Sequence, residues 1–208
     1  MENIVKLKGK VITEATESGR YDYEFILKVS RSNSKSDDLI IKINKDLLNY
    51  KLNIDQLVEV IGYVESENRS IDNSKKLIIY TRATEINPIE EITDKDVNYV
   101  ALEGVLCSKP NYRTTPSGTV ASDMMVVCKT TNGTYEKSNY IPVLLWNESA
   151  EKSRDFVVSN GETESVVKVL GVMRARIYKK IINGQSVEKV AYEISGNLES
   201  YKSTPREK

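Results

Sequence analysis

Three stretches in the second half of the chain place flat aromatic rings and cations at alternating positions. Arg174, Arg176 and Tyr178 alternate with Val169, Gly171, Met173 and Ala175, and Lys179 and Lys180 follow. Successive side chains of an extended strand point to opposite faces, so the two arginines and the tyrosine share one face and the small and apolar residues the other. Tyr140 and Trp146 share a face in the same way, opposite Ile141, Val143 and Leu145. Arg113 opens the loop Arg-Thr-Thr-Pro-Ser-Gly, and Lys129 ends the apolar run that starts at Val120. Rings of this kind stack on nucleobases, worth about 1–3 kcal/mol per base, while cations follow the phosphates. Each residue also has a plainer reading. Trp146, beside Leu144 and Leu145, suits a core; Arg174 and Arg176 suit a solvated strand; Arg113 suits a brace for its own turn.

Other chemistry is thinly represented. The chain has no histidine, which excludes imidazole acid–base work and histidine metal ligation. Two cysteines, Cys107 and Cys128, make neither a zinc site nor a disulfide framework and are expected as buried apolar packing in a reduced, cytoplasmic protein. Neither a nucleophile elbow nor a glycine-rich phosphate loop is present. The sequence therefore predicts no enzyme, no cofactor and no metal. The start Met1-Glu2-Asn3-Ile4 does not read as a secretion signal, and no apolar run reaches the length of a membrane span. Thirty basic residues balance thirty acidic ones, so any basic patch must be local. Met1–Ile92 holds 14 basic and 16 acidic residues, Val97–Ser195 12 and 10, which tilts phosphate binding toward the second half.

The elements that must carry these residues are strands. Runs rich in β-branched and aromatic residues predict Val5–Val11, Tyr21–Ser30, Leu39–Ile43, Leu57–Val64 and Leu77–Ile86, then Tyr99–Cys107, Val120–Lys129, Asn139–Leu145, Val166–Arg176 and Val187–Ile194. Short helices are predicted at Lys45–Tyr50 and Asn147–Val158, each between the third and fourth strand of its set. Turns are marked by Ser18-Gly19, Pro116-Ser117-Gly118, Asn132-Gly133 and Asn183-Gly184, and loops are expected over Ser66–Ser74 and Thr130–Lys137. Glycines recur at matching places: Gly9 and Gly104 in the first strands, Gly62 and Gly171 in the fourth. Five strands with a helix between the third and fourth is the layout of an OB-fold, a Greek-key barrel. The expectation is an all-β chain of two tandem five-stranded barrels in separate sheets: 1–86, a linker 87–98, 99–195, and a disordered tail 196–208. Tyr21-Asp22-Tyr23-Glu24-Phe25 puts three aromatics on one face in the first half, where acidic neighbours favour core packing or a protein interface.

Leu102-Glu103-Gly104-Val105-Leu106, the Arg113-x-x-Pro116-x-Gly118 loop, Tyr140 to Glu151, and Leu170 to Tyr178 follow one another in an order that resembles the bacterial single-stranded DNA-binding protein family and its primosomal relatives. The resemblance covers about 99–195; the first half is similar in layout only. It implies base stacking by Tyr140, Trp146 and Tyr178 and a basic groove at Arg113, Arg174 and Arg176. The family's aromatic at the end of the second strand is missing, and Tyr135 is the available substitute. The end Arg206-Glu207-Lys208 differs from the acidic tail of many members, so their recruitment of enzymes is not carried over. The implied role is to coat and protect single-stranded DNA in replication, repair or mobile-element transfer. Replication or repair proteins and a second copy of the chain are further candidate partners. The alternative is a protein-interaction adaptor on the same fold.

Overall fold

In a computed structural model of the chain, residues 1–31, 34–71, 74–92, 97–132, 134–182 and 184–205 are described. Gly133 and Asn183 of the expected turns, 93–96 of the expected linker and 206–208 of the expected tail lie outside them. The strands are β1 (Asn3–Val11), β2 (Thr16–Ser18), β3 (Asp22–Ser30), β4 (Ser36–Asn44), β5 (Leu57–Ile71) and β6 (Ser74–Pro88) in the first half. The second half holds β7 (Asn98–Leu106), β8 (Asn111–Thr114), β9 (Val120–Asn132), β10 (Tyr135–Trp146), β11 (Thr163–Ile182) and β12 (Gln185–Pro205), with the helix α1 (Asn147–Lys152) after β10. The ten expected strands are all present, and β2 and β8 are added as short edge strands.

Each half repeats one OB-like pairing order. In the first, β3 pairs β4, β4 runs parallel to β6, β6 pairs β5 and β5 pairs β1. The second repeats this with β9, β10, β12, β11 and β7. Each order returns to its start through two register pairs: Lys10↔Lys28 with Val11↔Leu27, and Val105↔Val127 with Leu106↔Val126. Gly9 and Gly104 stand just before those crossings. A Cβ on Gly9 would lie 2.5 Å from the Lys28 carbonyl oxygen, and one on Gly104 2.6 Å from that of Val127. A side chain would hold the strands apart, which accounts for the matched glycines.

The strands of the two halves do not stay in separate sheets. β1 pairs β7 antiparallel from Asn3↔Leu102 to Leu7↔Asn98, making one 12-stranded sheet. Val5, Leu7, Val100 and Leu102 are fully buried along this seam, and the core residues of both halves join in one cluster. Two apolar first strands, each with a free edge, bury those edges in one another. The arrangement is close to two-fold. Asn3 exchanges hydrogen bonds with Val64 (2.8 and 3.0 Å), and Asn98 does so with Met173 (2.9 and 2.8 Å). Asn139 accepts the Ser66 N–H at 2.9 Å across the halves, and Asp37 accepts the Ala175 N–H at 2.8 Å in return.

Four other expectations change. The stretches 66–74 and 130–137 belong largely to the β5–β6 and β9–β10 hairpins rather than to loops. The expected disordered tail is a strand over 196–205: it continues β12 and pairs β11 from Thr163 to Gly171. Tyr201 stacks on Phe156 there, ring centroids 3.9 Å apart, and this apolar anchor holds the segment. The first predicted helix is one 3-10 turn, Lys45–Leu47, capped by the Asn44 side chain, and the second stops at Lys152 before a 3-10 turn at Ser153–Asp155. Runs this short nucleate poorly. Cys128 is buried as expected, but Cys107 lies just past β7 and is exposed. In the tyrosine-rich run Phe25 is core, Tyr23 packs against it, and Tyr21 is exposed before β3 begins.

Candidate nucleic-acid interface

The outer face of β8, β9, β10, β12 and β11 gathers part of the expected site. Arg113 of β8 stands opposite Ala121 of β9, which stands opposite Trp146 of β10. Trp146 is half-buried, at the end of β10, and its Nε1 donates to the Ser195 hydroxyl of β12 at 2.9 Å. The ring is thereby held in place on the sheet rather than in the core. Its main chain stays extended as the cap of α1, and Asn147 absorbs the turn with a φ of 48°, a conformation asparagine tolerates. Arg176 of β11 is exposed and lies over the Tyr178 ring, 5.8 Å from its centroid.

Two carboxylates complete this face. Asp123 accepts from Arg113 Nε at 2.8 Å, and Glu193 accepts from Arg176 Nε and Nη2, each at 2.9 Å. The Asp123 charge also reaches Arg176, and that of Glu193 reaches Arg113, so the four act as one cluster. Glu193 is buried and Asp123 about 40% exposed at its side chain. A cleft of about 270 Å³ beside them is lined by Lys109, Asn111, Asp123, Met125, Leu144 and Glu193. Sequence reasoning on cations and rings passed over both carboxylates. Strand alternation is the signal that could have found them, because Asp123 alternates with Ser122 and Met124, and Glu193 with Ile194.

The remaining expected residues lie elsewhere. Arg174 turns to the seam, where its Nη1 donates to the fully buried Asp37 carboxylate at 2.9 Å; Arg31 binds the same carboxylate. Tyr140 is 50% exposed but sits at the first-half side of β10, its N–H donating to the Ser66 hydroxyl at 2.9 Å. Lys129 and Tyr135 are near the β9–β10 hairpin end; Lys129 pairs with Glu136 at 2.7 Å and Tyr135 is exposed. Lys179 and Lys180 are exposed on the projecting β11–β12 hairpin. Among the described residues, no group of three or more histidine, cysteine, aspartate or glutamate side chains could hold a metal ion, and no helix is long and apolar enough to cross a membrane.

Comparison with known proteins places this geometry. No curated protein sequence matches the chain. The whole chain superposes on the single-stranded DNA binding protein from Thermus aquaticus with a TM-score of 0.68 at 19% identity, covering 100% of this chain and 95% of that one. A deletion mutant of that protein gives 0.66 at 19% identity, with 95% and 93% covered. The N-terminal domain of the PriB protein from Thermoanaerobacter tencongensis is 32% identical over 43% of this chain and 98% of its own, with a TM-score of 0.38. The Thermus likeness establishes an all-β, OB-like fold across both halves. Residues 97–199 match the single-strand binding protein family, and that part of the chain, which carries Arg113, Trp146, Arg176 and Tyr178, is homologous to it.

Proposed function

We propose that the chain binds single-stranded DNA, without catalysis, on the outer face of β8 to β12. The observation that carries this is the placement of Arg113 on β8, Trp146 on β10 and Arg176 and Tyr178 on β11, alternate strands of one face, within the part that matches the single-strand binding family. Trp146 and Tyr178 stack on bases, and Arg113 and Arg176 exchange their carboxylate partners for phosphates. Lys179 and Lys180 extend the path along the β11–β12 hairpin, and Lys129 and Tyr135 extend it along β9–β10. Tyr140 meets the strand at the border of the first half, while Arg174 braces the seam. Stacking ignores base identity, so sequence preference is slight. The same reading takes each ring of strands as a closed Greek-key barrel, one within 1–86 and one within 99–195, with 87–98 between them. The role is to coat single strands in replication, repair or mobile-element transfer, in the cytoplasm and alongside replication or repair proteins. A homodimer would bring four barrels together; light scattering that gives the mass of one chain at tens of micromolar removes it.

A second reading, a protein-interaction adaptor, draws on the zero net charge and on the carboxylates already seated on Arg113 and Arg176. Titrating Trp146 fluorescence with oligo(dT) at several salt concentrations separates the two. Quenching that weakens as salt rises supports DNA binding; no quenching at low salt leaves the adaptor.

A further inference from the structure

The near-two-fold relation gives the β11 residues of the second half counterparts on β5 in the first. Gly62 of β5 corresponds to Gly171 of β11, so Arg174, Arg176 and Tyr178 correspond to Glu65, Glu67 and Arg69. Arg176, the cation that faces the DNA strand, is thus a carboxylate, Glu67, in the first half, and Arg174, which binds Asp37, is Glu65. Around them the first half builds a lattice. Lys42 Nζ lies 2.7 Å from Glu67 and 3.6 Å from Glu24, and Arg69 grips both Glu24 and Glu67. Tyr80 donates to Glu65 at 2.6 Å, and Arg82 joins Asp22 at 2.8 Å. The Lys42 side chain is only 9% exposed.

The second half supplies the rest of this face. Lys137 of β10 reaches Glu65 at 3.1 Å, and Thr130 of β9 donates to it at 3.2 Å. Tyr192 of β12 packs on the apolar cluster of Ile40, Ile78 and Tyr80 beside the lattice.

From this we infer that the first half's counterpart face is the docking cradle for the Thr130 and Lys137 flank of the β9–β10 hairpin and for Tyr192 of β12, and that it carries no nucleic acid, so each chain holds single-stranded DNA on its second half alone. The inference rests on the proposed DNA-binding reading. Its cations, Lys42, Arg69, Arg82 and Lys137, are held by Glu67, Glu24, Asp22 and Glu65 with side chains only 9–29% exposed, whereas the paired Arg113 and Arg176 of the other half are 41% and 48% exposed and open to a phosphate. In the other half Arg176 and Tyr178 remain exposed.

Two measurements on the full chain test it. In a Trp146→Phe background, Tyr63→Trp puts a reporter on the outer face of β5, two residues before Glu65. Labelled oligo(dT) anisotropy shows whether DNA binds at all. Binding with no quenching of the reporter at position 63 is the expected result; quenching by oligo(dT) overturns the inference and leaves the DNA-binding reading intact. Loss of anisotropy change in the parent protein overturns that reading and the inference with it. In parallel, Arg69→Gln should leave the log–log salt slope of the parent, while Arg176→Gln should flatten it by about 0.7 for one lost phosphate contact on a single strand. A slope flattened equally by Arg69→Gln places phosphate on the first half and rejects the cradle.

Discussion

Trp146 and Arg176 lie on one face yet should fail in different ways. Trp146→Ala removes a stacking surface and should weaken oligo(dT) binding by about 1–3 kcal/mol with the salt slope kept. Arg176→Ala should weaken binding mainly at low salt, with a slope flatter by about 0.7. Equal salt slopes for the two folded variants would contradict the division between stacking and phosphate neutralisation. Trp146→Ala also leaves the Ser195 hydroxyl without its donor, so the melting temperature of each variant is the necessary companion measurement. The thiols differ as sharply. Burial pushes the Cys128 thiol up to about 11, so near pH 8 it is almost wholly protonated as well as inaccessible. A thiol-specific chromogenic reagent should modify one cysteine of the native chain, Cys107, and two once denaturant is added. Two fast-reacting thiols in the native protein would show that the strand carrying Cys128 opens readily.

At the scale of strands, the closest approach of backbone to a described glycine is at Gly62, at the register shift between Ile61 and Gly62 where β5 meets β6. A Cβ there would lie 2.0 Å from the Arg82 carbonyl oxygen, a backbone atom that cannot move aside alone. Gly62→Ala should therefore lower stability by about 1–3 kcal/mol, read as a shift of the urea midpoint. An unchanged midpoint would show that the bulge absorbs the methyl group. The strands themselves were legible in the sequence, because Val5, Leu7 and Val11, like Ile141, Val143 and Leu145, obey the two-residue period that a half-buried strand imposes. Their partners were not. Alternation says which face of β1 is buried but is silent about what lies along its edge, so the β1–β7 ladder had no signature. Arg174 failed for a related reason. Its face was read correctly, but whether that part of β11 meets solvent or Asp37 depends on a strand far away in sequence. Arg176 and Tyr178 lie where the other half does not reach, and for them alternation was enough to place the residue on its face, whereas Arg113, expected in a loop, lies on the short edge strand β8, which has no apolar alternation to announce it.

Across the whole molecule the seam should make the two halves unfold together. Val5, Val100 and their neighbours contribute to one shared core, and polar links such as Asp37–Arg174 cross between the halves. Urea unfolding followed by Trp146 fluorescence, which reports the second half, and by far-ultraviolet circular dichroism, which reports both, should give coincident transitions. Separated transitions would mean that the halves are independent. Acid should loosen the seam. Burial raises the Asp37 carboxyl, but hydrogen bonds from Arg31, the Ala175 N–H and Arg174 outweigh it and hold the group below the ordinary carboxylate range. Glu65 and Glu67 are likewise lowered, burial again being outweighed by their partners: Tyr80, Lys137 and Arg82 for Glu65, Lys42 and Arg69 for Glu67. A carboxylate with a lowered pKa binds fewer protons folded than unfolded. Its stabilisation is complete above the ordinary value near pH 4 and is lost as pH falls through the folded value. The melting-temperature gap between the parent and Asp37→Asn should therefore be widest at neutral pH and close as the pH falls below about 4. A gap that stays constant down to about pH 2 would show that the Asp37 charge contributes nothing to the seam.

The ladder between β1 and β7 also bears on what happens if the polypeptide is severed between Ile92 and Val97. Val5↔Val100 sits at the centre of a register in which each strand offers the other nearly what it would offer a copy of itself: buried valine and leucine in the middle, an asparagine at one end. Fragments 1–92 and 97–208, expressed together, should assemble without a covalent join. Expressed alone, each is left with an unpaired apolar edge, and the nearest substitute for its lost mate is another molecule of the same fragment.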